Sequence, residues 1–226
     1  MIIDFTGRTL LVTGGHGGIG TAVCECFGES GAKVIAPTSK EMNLTSDESI
    51  REYMITLKES PDMVVHCAGI NELAGINELS MDVIQRVYKV NLFSLMQILG
   101  YVVPKMKERQ FGRIVGISSL FGIVSKERRI PYSSSKHALG GFIKSLALEV
   151  ADENIMVNGV APGYVMTAMT RKNLSDNDIE VIKTQIPTGR LQEADEIAAL
   201  CGFLCSDYNK SITGQIIPVD GGFLCR

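Results

Sequence analysis

The sequence has no tryptophan, no run of like charges and no apolar stretch approaching a membrane span. A spanning helix needs about 20 consecutive apolar residues, so none is expected. The 22 Lys and Arg against 25 Asp and Glu leave a net charge of −3 with no basic or acidic block. Nucleic-acid binding would need clustered cations, and Lys126-Glu127-Arg128-Arg129 is short and mixed in sign. The three histidines, His16, His66 and His137, lack the spacing of metal ligands, so no metal site is expected. Met1-Ile2-Ile3-Asp4 leads straight to Arg8 and a strand-like run, without the pattern of a secretory signal. The cysteines at 24, 26, 67, 201, 205 and 225 sit mostly within periodic apolar segments. They read as small buried hydrophobes of a reducing cytoplasm rather than a disulfide framework.

What is present suffices for one sizeable core: 226 residues, 45% of them hydrophobic. A single domain over 1–226 is expected, with no repeat and no linker. Thr9–Thr13 is a short apolar run, followed at once by Gly14-Gly15-His16-Gly17-Gly18-Ile19-Gly20. Apolar residues at 19, 22, 23, 26 and 27 then fall at helical spacing, Gly31 stops the helix, and Lys33–Ala36 reads as a second strand. Strand, glycine turn, helix and strand form the unit whose helix N-terminus receives a phosphate. Unpaired N–H groups and the positive dipole end point at it, and the glycines let a diphosphate approach the backbone.

Farther along, Tyr132 and Lys136 are four residues apart at the start of a long apolar-periodic segment that opens at Pro131. On a helix they share one face. An ammonium near a phenol favours the phenolate, so the pair is expected to yield a proton donor or acceptor usable nearer neutral pH. Thr13-Gly14-x-x-x-Gly18-Ile19-Gly20 together with Tyr132-x-x-x-Lys136 resembles the short-chain dehydrogenase/reductase family, in its compact single-domain type. The resemblance runs from about residue 5 to residue 223 and is strongest to 3-oxoacyl-carrier-protein reductases.

The resemblance implies an α/β, Rossmann-like fold: a doubly wound, mostly parallel seven-stranded sheet with helices on both faces. The helix usual between strands 2 and 3 is missing or very short here, because Pro37-Thr38-Ser39-Lys40 runs almost directly into Glu41-Met42-Asn43-Leu44-Thr45. Thr45 or Ser46 is expected to cap a helix to about Glu59, ended by Pro61. Asp62–Gly69 reads as the next strand and its exit, Met81–Arg109 as two helices meeting near Lys89, and Gly112–Ser119 as a strand ending in two serines. Ile155–Val160 and Ile212–Gly222 read as the last strands, with a helix over Glu193–Cys205 between them.

By the same resemblance, Tyr132 exchanges a proton with the substrate oxygen and Lys136 lowers its pKa and binds the ribose. Ser119, thirteen residues before Tyr132, holds the oxygen, and Ser118 is its cofactor-side neighbour. Asn91, in an apolar surround, bends its helix and helps hold a proton-relay water. Gly14, His16, Gly18, Ile19, Gly20, Thr38, Ser39, Asn43, Leu44, Ala68 and Gly69 are expected to contact the nucleotide. Pro162, Gly163, Val165 and Thr167 are expected beside the nicotinamide carboxamide, with Tyr132 and Lys136. Residues 168–190 would form a substrate lid carrying a short helix, Ser175 to Thr184.

Val34 to Lys40 contains no acid to accept from a ribose 2′-hydroxyl, so NADP is favoured over NAD. The expected activity is hydride transfer between NADP(H) and a carbonyl or secondary alcohol of a small molecule. Alternatives are a 3-oxoacyl-carrier-protein reductase and a non-catalytic dinucleotide-sensing regulator. Asp152-Glu153 stands where carrier-binding relatives have a basic residue, and it would repel an acidic carrier. Two departures stand out. His66-Cys67 replaces the family's Asn-Asn, so another polar group must brace the sheet. Gly140-Gly141 interrupts the helix after Tyr132, and in the family that helix packs on a neighbouring subunit, implying a homodimer or homotetramer.

Overall fold

The computed structural model describes residues 2–167, 170–171 and 174–225. Six parallel strands form one sheet in the order β2-β1-β3-β4-β5-β6: β1 Thr9–Thr13, β2 Lys33–Ile35, β3 Met63–His66, β4 Gly112–Ile117, β5 Ile155–Pro162 and β6 Ile216–Val219. The four central strands are buried along their whole length, whereas β2 and β6 are partly exposed edges. This is why the central strands read as continuous apolar runs: helices cover both faces of a parallel sheet.

Alternate residues divide between two cores. Leu11, Val64, Ile114 and Val157 face α2 (Asp47–Thr56), α4 (Ser94–Arg109) and α5 (Ile130–Val150). Leu10, Val12, Val65, Val115 and Val160 face α1 (Gly18–Glu29) and α7 (Ala194–Cys205). The helix expected at Ser175–Thr184 is α6, Asp176–Gln185, with Ser175 as its N-cap. Its Ile179 and Ile182 join Ile186 and Leu191 in a small separate core. Residues 168–169 and 172–173 of the expected lid lie outside the described residues.

Among the described residues the sheet has six strands, not seven. The missing one would have paired outside β2, but the segment after β2 closes turns instead. Met42 N donates to Thr38 O (2.9 Å), Ser46 N to Asn43 O (3.0 Å) and Thr45 N to the Asn43 side-chain oxygen (3.0 Å). A parallel crossover needs a dozen or more residues, and the few between Ile35 and Glu41 cannot supply one. Ser46, not Thr45, caps α2, accepting from Ser49 N at 3.2 Å, and α2 ends at Thr56, short of Glu59. The final strand is likewise confined to Ile216–Val219.

Met81–Arg109 is α3 (Met81–Tyr88), a wide π turn over Lys89–Phe93, and α4. Strand order reverses between β1 and β3, so the crevice for a ligand opens at their carboxyl ends. No helix among the described residues is long and apolar enough to cross a membrane.

Candidate active site

The glycine turn after β1 is shaped by contact. Gly14 has φ +68°, and a Cβ there would lie 2.7 Å from Ala68 N. A Cβ on Gly20 would lie 2.1 Å from Gly14 O, and one on Gly18 would lie 2.8 Å from the Thr167 methyl. Gly14 and Gly20 therefore let the turn close against the exit of β3, and Gly18 lets the Thr167 segment lie over the start of α1. The α1 N-terminus has no side-chain cap, leaving first-turn N–H groups available to an anion.

Two clefts meet at Gly69. One, of about 390 Å³, is lined by Gly14, His16, Thr38, Ser39, Asn43, Leu44 and Ala68. The other, of about 210 Å³, is lined by Ile19, Ser119, Tyr132, Lys136, Pro162, Gly163, Val165 and Thr167. The pair forms an elongated crevice that can take an extended dinucleotide, with the glycine turn between its ends. Of the residues singled out in the sequence, Gly18, Gly20 and Asn91 line neither cleft. The two glycines shape the turn, and Asn91 lies behind the wall.

Asn91, on the π turn, is fully buried. Its side-chain oxygen accepts from Ile70 N (2.8 Å) and its amide donates to Ile70 O (3.1 Å) and Ser135 Oγ (2.9 Å). Ser135 Oγ donates in turn to Tyr132 O (2.7 Å). One amide thus ties the exit of β3 to the first turn of α5, which carries both Tyr132 and Lys136. A Cβ on Gly69 would lie 3.4 Å from Lys136 Nζ and 3.6 Å from the Asn91 oxygen, so both polar heads approach the same glycine.

His66 fills the bracing role vacated by the family's Asn. Its Nε2 lies 3.1 Å from Val90 O and its Nδ1 2.7 Å from Thr13 Oγ1. A carbonyl can only accept, so Nε2 carries the proton and Nδ1 accepts from the Thr13 hydroxyl. The imidazole joins the ends of β1 and β3 to the π turn. Burial, then the nearby Lys136 charge, push its pKa down to about 3 and keep the ring neutral, although the Val90 hydrogen bond acts in the opposite direction.

Lys136 is buried, donates to Ile117 O at 2.7 Å and lies 5.8 Å from the centre of the Tyr132 ring. Burial pushes its pKa down to about 8. The phenol of Tyr132 moves up, not down as the spacing suggested. Burial outweighs the lowering by the Ser119 hydroxyl and the Arg129 charge, so the neutral donor form dominates. Ser119 is buried and its oxygen accepts from Phe121 N at 3.1 Å, which leaves its proton free to donate. The buried Ser118 hydroxyl has no partner among the described residues.

Sequence reading missed several wall residues: Asn71, Phe121, Arg129, Tyr164 and Leu174 on the catalytic side, and Pro37, Met42 and Ile70 on the other. None belongs to a spaced motif. Phe121, Tyr164 and Phe223 meet edge to face, with centroids 6.3 and 5.9 Å apart. Thr38 is also less available than its position suggested, because its N–H and hydroxyl both donate to Glu41 at 2.8 Å.

Comparison with known proteins agrees with this architecture. A family model described as enoyl-(acyl carrier protein) reductase matches residues 36–224. The chain is 36% identical to the 3-oxoacyl-[acyl-carrier-protein] reductase of Aquifex aeolicus, covering 98% of this chain and 99% of that protein. It is 34% identical to the Escherichia coli K12 enzyme of the same name, covering 97% and 98%. Among solved structures, a putative gluconate dehydrogenase from Agrobacterium tumefaciens superposes with a TM-score of 0.92 at 28% identity, covering 100% and 99% of the two chains. A putative NAD(P)-dependent gluconate 5-dehydrogenase from Beutenbergia cavernae, with bound NADP at low occupancy, gives 0.89 at 29%, covering both chains fully. With a glycine turn, a Tyr132/Lys136 pair and full-length relatives of this kind, the chain belongs to the short-chain dehydrogenase/reductase family of NAD(P)-dependent oxidoreductases.

Proposed function

We propose that the protein interconverts a carbonyl and a secondary alcohol on a small substrate, using NADP(H), with 1–226 acting as one catalytic unit. The observation that carries this reading is the convergence of Ser119, Tyr132 and Lys136 on one cleft that meets the nucleotide cleft at Gly69. When bound, the nicotinamide supplies or accepts the hydride. Ser119 donates a hydrogen bond to the substrate oxygen. Tyr132 gives that oxygen its proton in reduction and takes it back in oxidation. Lys136 fixes the ribose and supplies positive charge behind the phenol, and Asn91 positions both by holding Ile70 and Ser135. Pro162, Gly163, Val165 and Thr167 frame the carboxamide, and residues 174–190, with Leu174 in the cleft wall, cover the substrate.

NADP is supported by the absence of an acid at the end of β2, by Ser39 and Lys40 there, and by the NADP in the Beutenbergia cavernae structure. With Thr38 held by Glu41 and His16 Nε2 bound to Ala36 O at 3.1 Å, Ser39 and Lys40 are the groups left for a 2′-phosphate. A carrier-bound 3-oxoacyl thioester is the second reading, favoured by the names of the most similar sequences. Glu153 pairs with Lys107 at 2.8 Å, so only Asp152 adds unpaired negative charge where a carrier would approach. A cytoplasmic homodimer or homotetramer is proposed on the apolar exposure of Phe93 and Met96 around the start of α4 and of Leu148 on α5.

The test is Tyr132→Phe. General acid–base catalysis contributes roughly 10²- to 10⁴-fold, so NADPH oxidation against a carbonyl panel should drop by at least about 10²-fold while NADPH still binds. Turnover within a few-fold of wild type would reject the assignment.

A further inference from the structure

Arg129 is an unpaired cation in the wall of the catalytic cleft. Its neighbour Arg128 is spent on structure, binding both oxygens of Glu78 at 3.0 and 2.7 Å, whereas Arg129 has no ion pair among the described residues. The backbone there is braced. Ala74 N donates to Arg128 O (3.1 Å), Ala74 and Arg129 form an isolated β-bridge, and Ser133 N donates to Arg129 O (2.7 Å). The guanidinium lies over the Phe121 ring, 5.2 Å from its centre. A half-buried guanidinium stacked on an aromatic ring and held by its backbone keeps its donor fork pre-ordered for a planar anion. Opposite charge inside a cleft also gains strength as water is displaced.

The same cleft holds Tyr132, and beside it the side-chain oxygen of Asn71 is buried with no hydrogen-bond partner among the described residues. Arg129, Tyr132 and Tyr164 line this one cleft, with the guanidinium and Tyr164 both packed against Phe121. An anion on Arg129 therefore lies within one small molecule's length of the reacting carbon.

Resting on the carbonyl–alcohol reading above, we infer that Arg129 binds the carboxylate of the substrate, so that the enzyme works on small oxo or hydroxy acids. An uncharged acyl thioester would gain nothing from the guanidinium, so a carboxylate is favoured over it.

The test has two arms. In the first, NADPH-saturated protein is titrated calorimetrically with pentanoate and with methyl pentanoate, neither of which is reduced. Wild type should favour the acid by about tenfold or more, the scale of one charge-assisted contact. Arg129→Gln should erase that preference, and Arg129→Lys should restore part of it. In the second arm, 4-oxopentanoate and its methyl ester are compared as substrates, and the acid-to-ester ratio of kcat/KM should fall by a similar factor in Arg129→Gln, mainly through KM. Equal binding of acid and ester by wild type overturns the inference. So does a ratio unchanged by Arg129→Gln, or a larger loss with a phosphopantetheine thioester than with the oxo acid, which would assign Arg129 to a phosphate. Acid-selective binding without turnover of any carbonyl would uphold the anion site and sink the enzymatic reading instead.

Discussion

On the nucleotide side of the crevice, polar groups hang from turns beside an edge strand and face water; on the side of Tyr132, they are buried and tied across the sheet. Thr38, Ser39, Asn43 and Glu41 sit in the turns after β2, and their hydrogen bonds run within eight residues of chain. Asn91, His66, Ser119 and Lys136 are buried, and each bond of Asn91 and His66 reaches 21 to 53 residues away. A proton-transfer site must hold its groups to fractions of an ångström, and long-range buried bonds do that. A nucleotide grip can be tuned by exposed side chains at small cost to the fold. The difference teaches where substitutions should act on stability and where only on affinity.

The largest effect should come from cutting the brace. Asn91→Ala would leave Ile70 N–H and Ile70 C=O without their side-chain partner, while the Ser135 hydroxyl keeps its bond to Tyr132 O. Each such group costs about 1–3 kcal/mol, so a loss of about 2 kcal/mol or more in urea unfolding is expected, with kcat falling more than NADPH affinity. A variant as stable and active as wild type would break the contrast between the two sides.

His66 gives a second measure through pH. Its folded pKa, about 3, is below the ordinary 6.5, so between those values the unfolded chain binds a proton that the folded one refuses. Stability supplied by the neutral ring is complete above pH 6.5 and is lost as pH falls, at up to about 1.4 kcal/mol per pH unit. Replacing it by the family's residue, His66→Asn, should flatten the acid limb between pH 6.5 and 4.5 in unfolding curves. An unchanged slope would mean that other groups set acid sensitivity.

The smallest effect belongs to the exposed side. Glu41 is held below the usual carboxylate range by the Thr38 N–H and hydroxyl, and its charge stands beside the proposed 2′-phosphate site. Glu41→Gln should lower KM for NADPH by roughly twofold to fivefold, the scale of exposed charge effects, without moving Tm. A drop in stability would show that these turns are more than a tunable rim.

What the sequence by itself determined is local. Residues 9–36 spell strand, glycine turn, helix and strand because a turn with φ +68° at Gly14 and a crowded Gly20 leave few alternatives to glycine. Tyr132 and Lys136 share a face because four residues make one helical turn. The short connector after β2 was visible as well, but its consequence, a missing edge strand, followed only when the turns at 38–46 were seen to take the hydrogen bonds. Tertiary structure alone decided three things. It gave His66 the bracing role, since Thr13 and Val90 are 53 and 24 residues distant. It raised rather than lowered the Tyr132 pKa, because burial is a property of packing and not of spacing. And it turned Arg129 into the cleft while Arg128 went to Glu78, a choice between adjacent arginines that no periodicity encodes.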